Sequence, residues 1–392
     1  MNGAKKSIAT TDPQHNAGRD LAIIGGGIGG LTAALGFART GAHVTVYEQA
    51  PALTEVGAGI QITPNGARAL QGLGVALDGA SITAQAVVPM DGLTGRAVTQ
   101  LDVSRQEPPY RFIHRAALID LLAQGCAAAG VTVRLGAQIT EIRPDGSFLN
   151  GGEEVRPDLT VGADGVRSVM RGVINRTAEP FFTGQVAWRA VIPQHDAEPV
   201  ARIWMLPGRH MVTYPLPDGF LNVVAVQQRS QWAGEGWHHA DDPGNLRQAF
   251  ADASWDIKGV LGAVEHCNLW GLFRHPVAET WWAGSIAILG DAAHPTLPFL
   301  AQGANLAIED AYVLARRCNE HAGLEDGLRA YQQARRPRVV RAIGAANANA
   351  VKYHLSGVSR RVAHLGLGMI GRVAPGAFMR RLEWLYDHDV TA

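Results

Sequence analysis

Residues 20–48 read DLAIIGGGIGGLTAALGFARTGAHVTVYE, and Gly25, Gly27 and Gly30 stand in G-x-G-x-x-G spacing. Glycines so placed let backbone approach a pyrophosphate, whose charge is stabilised by the N-terminus of the helix that follows. Glu48, closing the second strand-like run, is positioned to accept hydrogen bonds from a ribose. A bare glycine pattern also suits a tight turn. Here an apolar run (21–24) precedes it, and a helix with Leu31, Ala34, Leu35 and Ala38 on one face follows. A β-branched run (43–47) then leads to the acid, and that context predicts a dinucleotide-binding unit.

Three more segments carry groups that could act. VGADGVRSVMR (161–171) places Asp164 in an Asp-Gly turn at a strand end, with Arg167 and Arg171 one helical turn apart. IAILGDAAHP (286–295) sets Asp291 just past another strand, and His294 shapes the loop after it. PFLAQGANLAIED (298–310) is a loop entering a helix near Gly303, so exposed N–H groups and a positive dipole end face whatever precedes it. Gly303 and Ala304 permit close backbone approach there. In HMVTY (210–214), strand alternation puts His210, Val212 and Tyr214 on one face, where an imidazole base and a phenol donor could meet one substrate. The same pair equally suits a half-exposed structural strand. Arg189 could pair a substrate carboxylate and Gln302 could reach substrate from the loop. A surface arginine beside core Trp188 and a helix-leading polar residue are the plainer readings. Ser168 has no base at useful spacing, so Ser/His/Asp hydrolysis is not expected.

The elements that must position these groups follow from pattern. Helices are expected at 66–73, 115–129 and from Gly303 to about Cys318, with helical chain to the end, and strands at 131–135, 139–142, 159–161 and 285–289. Strand-like runs at 185–192, 201–205, 210–215 and 221–228, separated by Pro/Gly/Asp turns, predict an antiparallel sheet. The expected fold is α/β: a Rossmann-like nucleotide-binding domain (20–81, 111–175, 280–345) interrupted by an antiparallel-sheet domain (82–110, 176–279). A flexible leader (1–19) precedes it and a C-terminal helical segment (346–392) follows. The glycines and Pro375 within 362–378 break that apolar stretch into packing helices, and the arginines from Arg335 to Arg341 read as a solvated helix face.

Lys+Arg and Asp+Glu balance at 35 each in 392 residues, which gives nucleic acid or an anionic membrane no evident hold. The three cysteines, Cys126, Cys267 and Cys318, lack metal-ligand spacing. No metal site is expected, and the cysteine usage points to a cytoplasmic protein.

These motifs, in this order, resemble the single-component FAD-dependent aromatic hydroxylases, the p-hydroxybenzoate hydroxylase-like class. Within it they are most similar to the salicylate, 3-hydroxybenzoate and 6-hydroxynicotinate hydroxylases. The likeness runs from about Leu21 to the WLYDH ending at 384–388. It implies an FAD-dependent monooxygenase that uses NADH or NADPH and O2 to hydroxylate a phenolic or heteroaromatic acid through a flavin C4a-hydroperoxide. The resemblance assigns the ADP half of FAD to Gly25, Gly27, Gly30 and Glu48. It assigns the flavin's phosphate or ribityl region to Arg115, which by itself reads as a first-turn surface arginine. Asp164 would help hold the pyrophosphate, where a turn carboxylate is the alternative, and Asp291 would bond the ribityl chain. The helix start at Gly303 and Ala304 would face the flavin N1/O2 edge, the Pro298 carbonyl the substrate, and His210 and Tyr214 would be catalytic. The polar residues that bind carboxylate in the benzoate-type parent have no counterpart located here, so a carboxylate-free substrate stays open. So does epoxidation or hydroxylation of a non-aromatic ring. A non-catalytic FAD-fold carrier is disfavoured by the intact Asp164, Asp291 and 302–305. A homodimer is a further expectation.

Overall fold

The computed structural model describes residues 14–53, 58–175, 179–232, 238–297, 299–374 and 376–392. Its first layer is a six-stranded sheet in the order Trp282–Ala283, Ile286–Ile288, Leu159–Gly162, Asp20–Ile24, His43–Glu48, Thr132–Leu135. All neighbours run parallel except the short Trp282–Ala283 edge strand. The strands are short and apolar because helices cover them: the first helix (Ile28–Ala38) and the helix Gly303–Glu320 bury Leu31, Leu35, Phe37, Leu306, Ile308 and Leu314 completely. Gly36 makes that helix pair possible, since a Cβ there would come within 2.9 Å of the Ala315 methyl.

The second layer is an eight-stranded sheet in the order His238–Asp241, Cys267–Arg274, Phe181–Pro193, Phe220–Gln228, Arg209–Leu216, Val200–Leu206, Ala86–Asp91, Leu101–Asp102. The sequence predicts antiparallel pairing throughout; one junction, Val200–Leu206 with Ala86–Asp91, is parallel. Ser81–Thr83 lies in neither large sheet. It joins Gly59–Ile62 and Arg111–His114 in a three-stranded sheet between the layers.

Four expectations need correction. Residues 139–142 form no strand; only Ile142 bridges to Phe148. The leader is described from residue 14, and its end is anchored: Asn16 is fully buried and donates to Thr40 Oγ1 and the Ala315 carbonyl. The glycines of 362–378 do not interrupt their helix, which runs unbroken over Gly357–Val373, and Val358, Val362, Leu365, Met369 and Val373 are exposed rather than packed. Pro375 lies outside the described residues.

The fourth correction concerns the arginines. On the long helix Leu324–Tyr353, Arg335 is 1% exposed and pairs with Glu309 (2.5 Å) and Asp310 (2.8 Å), both fully buried on Gly303–Glu320. Arg338 pairs with Glu309 at 2.7 Å and donates to the carbonyls of Trp384 and Leu385, docking the last helix (Ala377–Tyr386). Arg341 is exposed, as expected, and lies 3.9 Å over the Trp384 ring. Burial opposes ionisation of Glu309 and Asp310, but the facing cations outweigh it and hold both carboxyls below their usual range. Removing one partner of such a cluster leaves an uncompensated buried charge. Arg335→Ala should therefore lower stability by about 3–5 kcal/mol. Urea unfolding of the purified protein is the check, and an unchanged midpoint would show the acids find other partners.

Candidate functional site

Two cavities meet between the layers. The first, about 340 Å³, runs along the carboxyl ends of the parallel strands and is lined by Gly27, Arg115, Asp291, Gln302, Gly303 and Ala304, with Arg189 and Tyr214 across from them. The second, about 650 Å³, lies between the eight-stranded sheet and the C-terminal helices. They share Gln61, Val212 and Ala301 as a junction. A third concavity of about 660 Å³, around Trp232 and Asn245, shares no residue with either.

The glycines of the first turn divide their tasks. Gly25 has φ +107° and a Cβ there would run into the Ala163 carbonyl; one at Gly30 would collide with the Gly25 carbonyl. Those two serve the turn. A Cβ at Gly27 would meet no protein atom within 4 Å, because Gly27 faces the open cleft. The helix it begins has no acid in its first turn and no side-chain cap, and the same holds for the helix that begins at Gly303. Two uncapped N-termini thus give their partial positive charge to one cleft. Glu48 accepts from the Gly26 amide (2.6 Å) and the Ala50 amide (2.8 Å), so each oxygen keeps a lone pair for another donor.

Asp291 reaches solvent through the cleft. Enclosure by the protein raises its carboxyl above the usual range, opposed by the charges of His294, Arg115 and Arg189. Arg115 opens the helix Arg115–Ala128, its amide donating to the Ala58 carbonyl at 2.9 Å. Asp164 takes the turn role: its Oδ2 accepts from the Val169 amide at 2.8 Å, and its neighbours Ala163 and Gly165, not Asp164, line the cleft. Arg189 stacks over Trp270 at 5.2 Å.

The loop before Gly303 is fixed by side chains that sequence reading passed over. Asn305, fully buried, accepts from the Thr63 amide and donates to the carbonyls of Gln61 and Ala301. The Gln302 amide accepts from Asn65 (3.1 Å) and donates to Thr63 Oγ1 (3.0 Å), so the group expected to meet substrate spends itself on the loop. Ala301 is held at φ +54°, a strained value for a residue with a Cβ, at the cavity junction. Pro298 lies outside the described residues.

The His210–Tyr214 pair does not converge on one substrate. Both share a sheet face, as alternation predicts, but His210 lines neither cavity. It is 1% exposed, packs against Phe299 and Tyr353, and its Nδ1 sits 2.8 Å from His354 Nε2. Burial, reinforced by His354, holds His210 well below the usual histidine range, and burial brings His354 to about 4. His354 is the reason for the correction: it lies 144 residues away, and no local pattern announces it. Tyr214 does reach the cleft, its ring packed on Phe112. A Cβ at Gly59 would crowd that ring at 2.8 Å. Tyr110, equally missed, donates to Gln61 Oε1 at 2.6 Å and meets Tyr386 edge-on. Burial pushes Tyr110, Tyr214 and Tyr386 up, and Tyr353 to about 12, so all four stay protonated donors.

Two outcomes follow from this geometry. Gly27→Ala should fold as the parent does yet bind FAD at least about tenfold more weakly, because the added methyl enters only ligand space. Flavin titration beside a melting curve checks this, and unchanged affinity would place the ligand elsewhere. The buried neutral His210–His354 pair stabilises the fold above pH 6.5, and this contribution is lost as pH falls toward about 4. His275, His364 and His388 shift in the same direction. The measure is therefore the difference in urea midpoint between the parent and a His210→Phe/His354→Leu double variant. That difference should move in the variant's favour across the window.

Comparison with known proteins places the chain. Residues 19–346 match the family model described as FAD binding domain. A 3-amino-4-hydroxybenzoate 2-monooxygenase of Streptomyces platensis is 36% identical over 342 residues, covering 81% of this chain and 84% of the relative. The 3-hydroxybenzoate 6-hydroxylase 1 of Aquipseudomonas alcaligenes is 31% identical, covering 96% and 98%. Among solved structures, a salicylate hydroxylase substrate complex superposes with TM-score 0.79 at 23% identity over 95% of this chain and 96% of that one. Klebsiella pneumoniae HpxO, complexed with FAD and uric acid, gives 0.80 at 22% over 91% and 95%. At those identities the structural likeness concerns the fold.

Proposed function

Because the chain belongs to the FAD-binding-domain family and is an FAD-dependent monooxygenase of the aromatic-hydroxylase class, we propose how its own residues divide the work on a phenolic acid. One observation carries the reading: the cleft with two uncapped helix N-termini opens, at Gln61, Val212 and Ala301, into an apolar chamber edged by protonated tyrosines. The chemistry that FAD supplies when bound is two-electron transfer from NADH or NADPH and activation of O2.

The glycine turn and Glu48 would hold the ADP half, and Arg115 and Asp291 would hold the chain between phosphates and ring. The N-terminus at Gly303 and Ala304 would lend its positive dipole end to the flavin ring and favour negative charge there. The substrate ring lies at the junction. There the Tyr214 hydroxyl donates to the substrate's phenolic oxygen, while Tyr110, its own proton given to Gln61, holds that side chain in place. Donors that stay protonated in a low-dielectric site favour the phenolate, and electron density on the ring carbons rises with it. His210 acts through packing, behind Phe299 and Tyr353, and is a positioning residue. The apolar walls exclude water from the reacting centre. The three free cysteines are all buried, which suits a reducing compartment, and we place the enzyme in the cytoplasm on that ground.

Anaerobic stopped-flow bleaching of bound flavin by NADH and by NADPH, with and without hydroxybenzoates, tests the reading. A phenol should accelerate reduction and be consumed once O2 is admitted. Equal reduction rates without any phenol would overturn it. Tyr214→Phe should cost on the order of 10²-fold in hydroxylation, leave FAD bound, and shift the bound substrate's phenol absorbance toward the protonated form.

A further inference from the structure

The chamber is larger than its place in the reaction requires. It holds about 650 Å³ against about 340 Å³ for the whole adjoining cleft. That lies within the roughly 300–1,000 Å³ that drug-sized ligands occupy, and a single-ring acid fills a small part of it. Away from the junction its walls are aliphatic, with Val87, Leu101, Ile203, Leu367, Ile370 and Leu382 prominent. Water gains few partners on such a surface, so an apolar occupant is favoured.

Its charges are asymmetric. Among the described residues no Asp or Glu lines the chamber, whereas Lys352, His364 and Arg381 do. His364 is bonded to Asp91 at 3.2 Å. Lys352 and Arg381 are exposed at the rim, and neither has an ion-pair partner among the described residues. Tyr110 and Tyr386 also line it, both buried, and Tyr110 gives its proton to Gln61 at the junction. Along the wall Thr99 is 9% exposed, and its Oγ1 has no hydrogen-bond partner. The chamber therefore offers apolar walls, one unspent hydroxyl and exposed cations, and it meets the cleft where Tyr214 stands at Gln61, Val212 and Ala301.

We propose that the substrate is a phenol whose ring carries an extended, mostly apolar substituent ending in an anionic group. The ring sits at the Gln61–Val212–Ala301 junction and the anion between Lys352 and Arg381. This rests on the hydroxylase reading and narrows it: the carboxylate is held at the rim and not beside the ring. That placement accounts for an apolar chamber wall whose exposed cations stand at the rim.

The test compares three probes in the same anaerobic reduction and aerobic turnover assays of the FAD-loaded enzyme. They are 3-hydroxybenzoate, a phenol bearing a medium-length alkyl chain that ends in carboxylate, and the same chain ending in an alcohol. The chain acid should show a KM at least about tenfold below 3-hydroxybenzoate. Lys352→Ala/Arg381→Ala should raise KM for the chain acid about five- to tenfold more than for the chain alcohol, the worth of two exposed charge pairs. Ala348→Phe, which narrows the chamber, should impair both chain compounds and spare 3-hydroxybenzoate. A lower KM for 3-hydroxybenzoate than for the chain acid overturns the inference and leaves the hydroxylase reading standing. So does an equal KM rise for acid and alcohol in the double variant. If no phenol of any kind stimulates reduction, the hydroxylase reading itself has failed.

Discussion

A buried cluster of charges holds the site together. Glu309 and Asp310, adjacent on one helix, face Arg335 and Arg338 on the next, and all are at most 8% exposed at the side chain. Taking these charges out of water is costly, and only dense mutual pairing compensates it. The spare oxygens of the acids do further work. Asp310 accepts from the Gly290 amide and from His294, which fixes the turn carrying Asp291. Glu309 accepts from Asn65 at 2.6 Å, and Asn65 also donates to Gln302. Asp291, the loop before Gly303 and the 61–65 segment are thus tied to one electrostatic centre. A charge cluster suits this task because hydrogen-bonded charges accept few geometries, whereas an aliphatic core of the same volume accepts many.

Around that centre the cleft is biased toward a polyanion without a dense patch of cations. Two helix N-termini supply partial charge through backbone N–H groups, and Gly27 leaves room for the ligand to reach one of them. Only Arg115 and Arg189 add full charges, with Asp291 between them in effect, since both act on its carboxyl. A balanced chain, 35 basic against 35 acidic residues, can therefore bind a pyrophosphate without becoming a general anion binder.

What could be read in the sequence was what local spacing determines. The glycine turn, the strand alternation that puts Tyr214 on the cavity side, and the helix starting at Gly303 all depend on residues within a few positions of one another. The parallel and antiparallel sheets followed from periodicity. What could not be read depends on partners far along the chain. Arg335 looked like part of a solvated face because Glu309 and Asp310 lie on another helix. His210 looked like a base because His354, which consumes its Nδ1, sits on a helix end 144 residues away. Gln302 looked free because Asn65 and Thr63 claim its amide across more than 230 residues. Tyr110 had no motif to mark it; a signal existed only in its aromatic neighbours Phe112 and Tyr386. Buried polar side chains are where distant partners matter most, because each must be satisfied by something.

The same requirement explains how the catalytic and recognition tasks are separated. A full cation beside the substrate ring would stabilise a ring phenolate strongly, but it would also bring water and a fixed electrostatic bias into the place where O2 chemistry must stay dry. A protonated tyrosine avoids both problems: burial keeps the Tyr214 proton in place for an oxygen that has gained charge, while Tyr110 gives its proton to Gln61. The chamber's own full charges stand at the rim, on Lys352 and Arg381, where solvent already hydrates them, while Arg189, near Tyr214 on the cleft side, is stacked over Trp270. The last helix, which carries Arg381, is docked by Arg338 on the helix that carries Lys352, and Arg338 belongs to the same buried cluster that sets the loops around the cleft. One electrostatic centre thus fixes the relative placement of a dry reacting end and a charged recognition end. Apolar chain between the two ends of a ligand is what satisfies both.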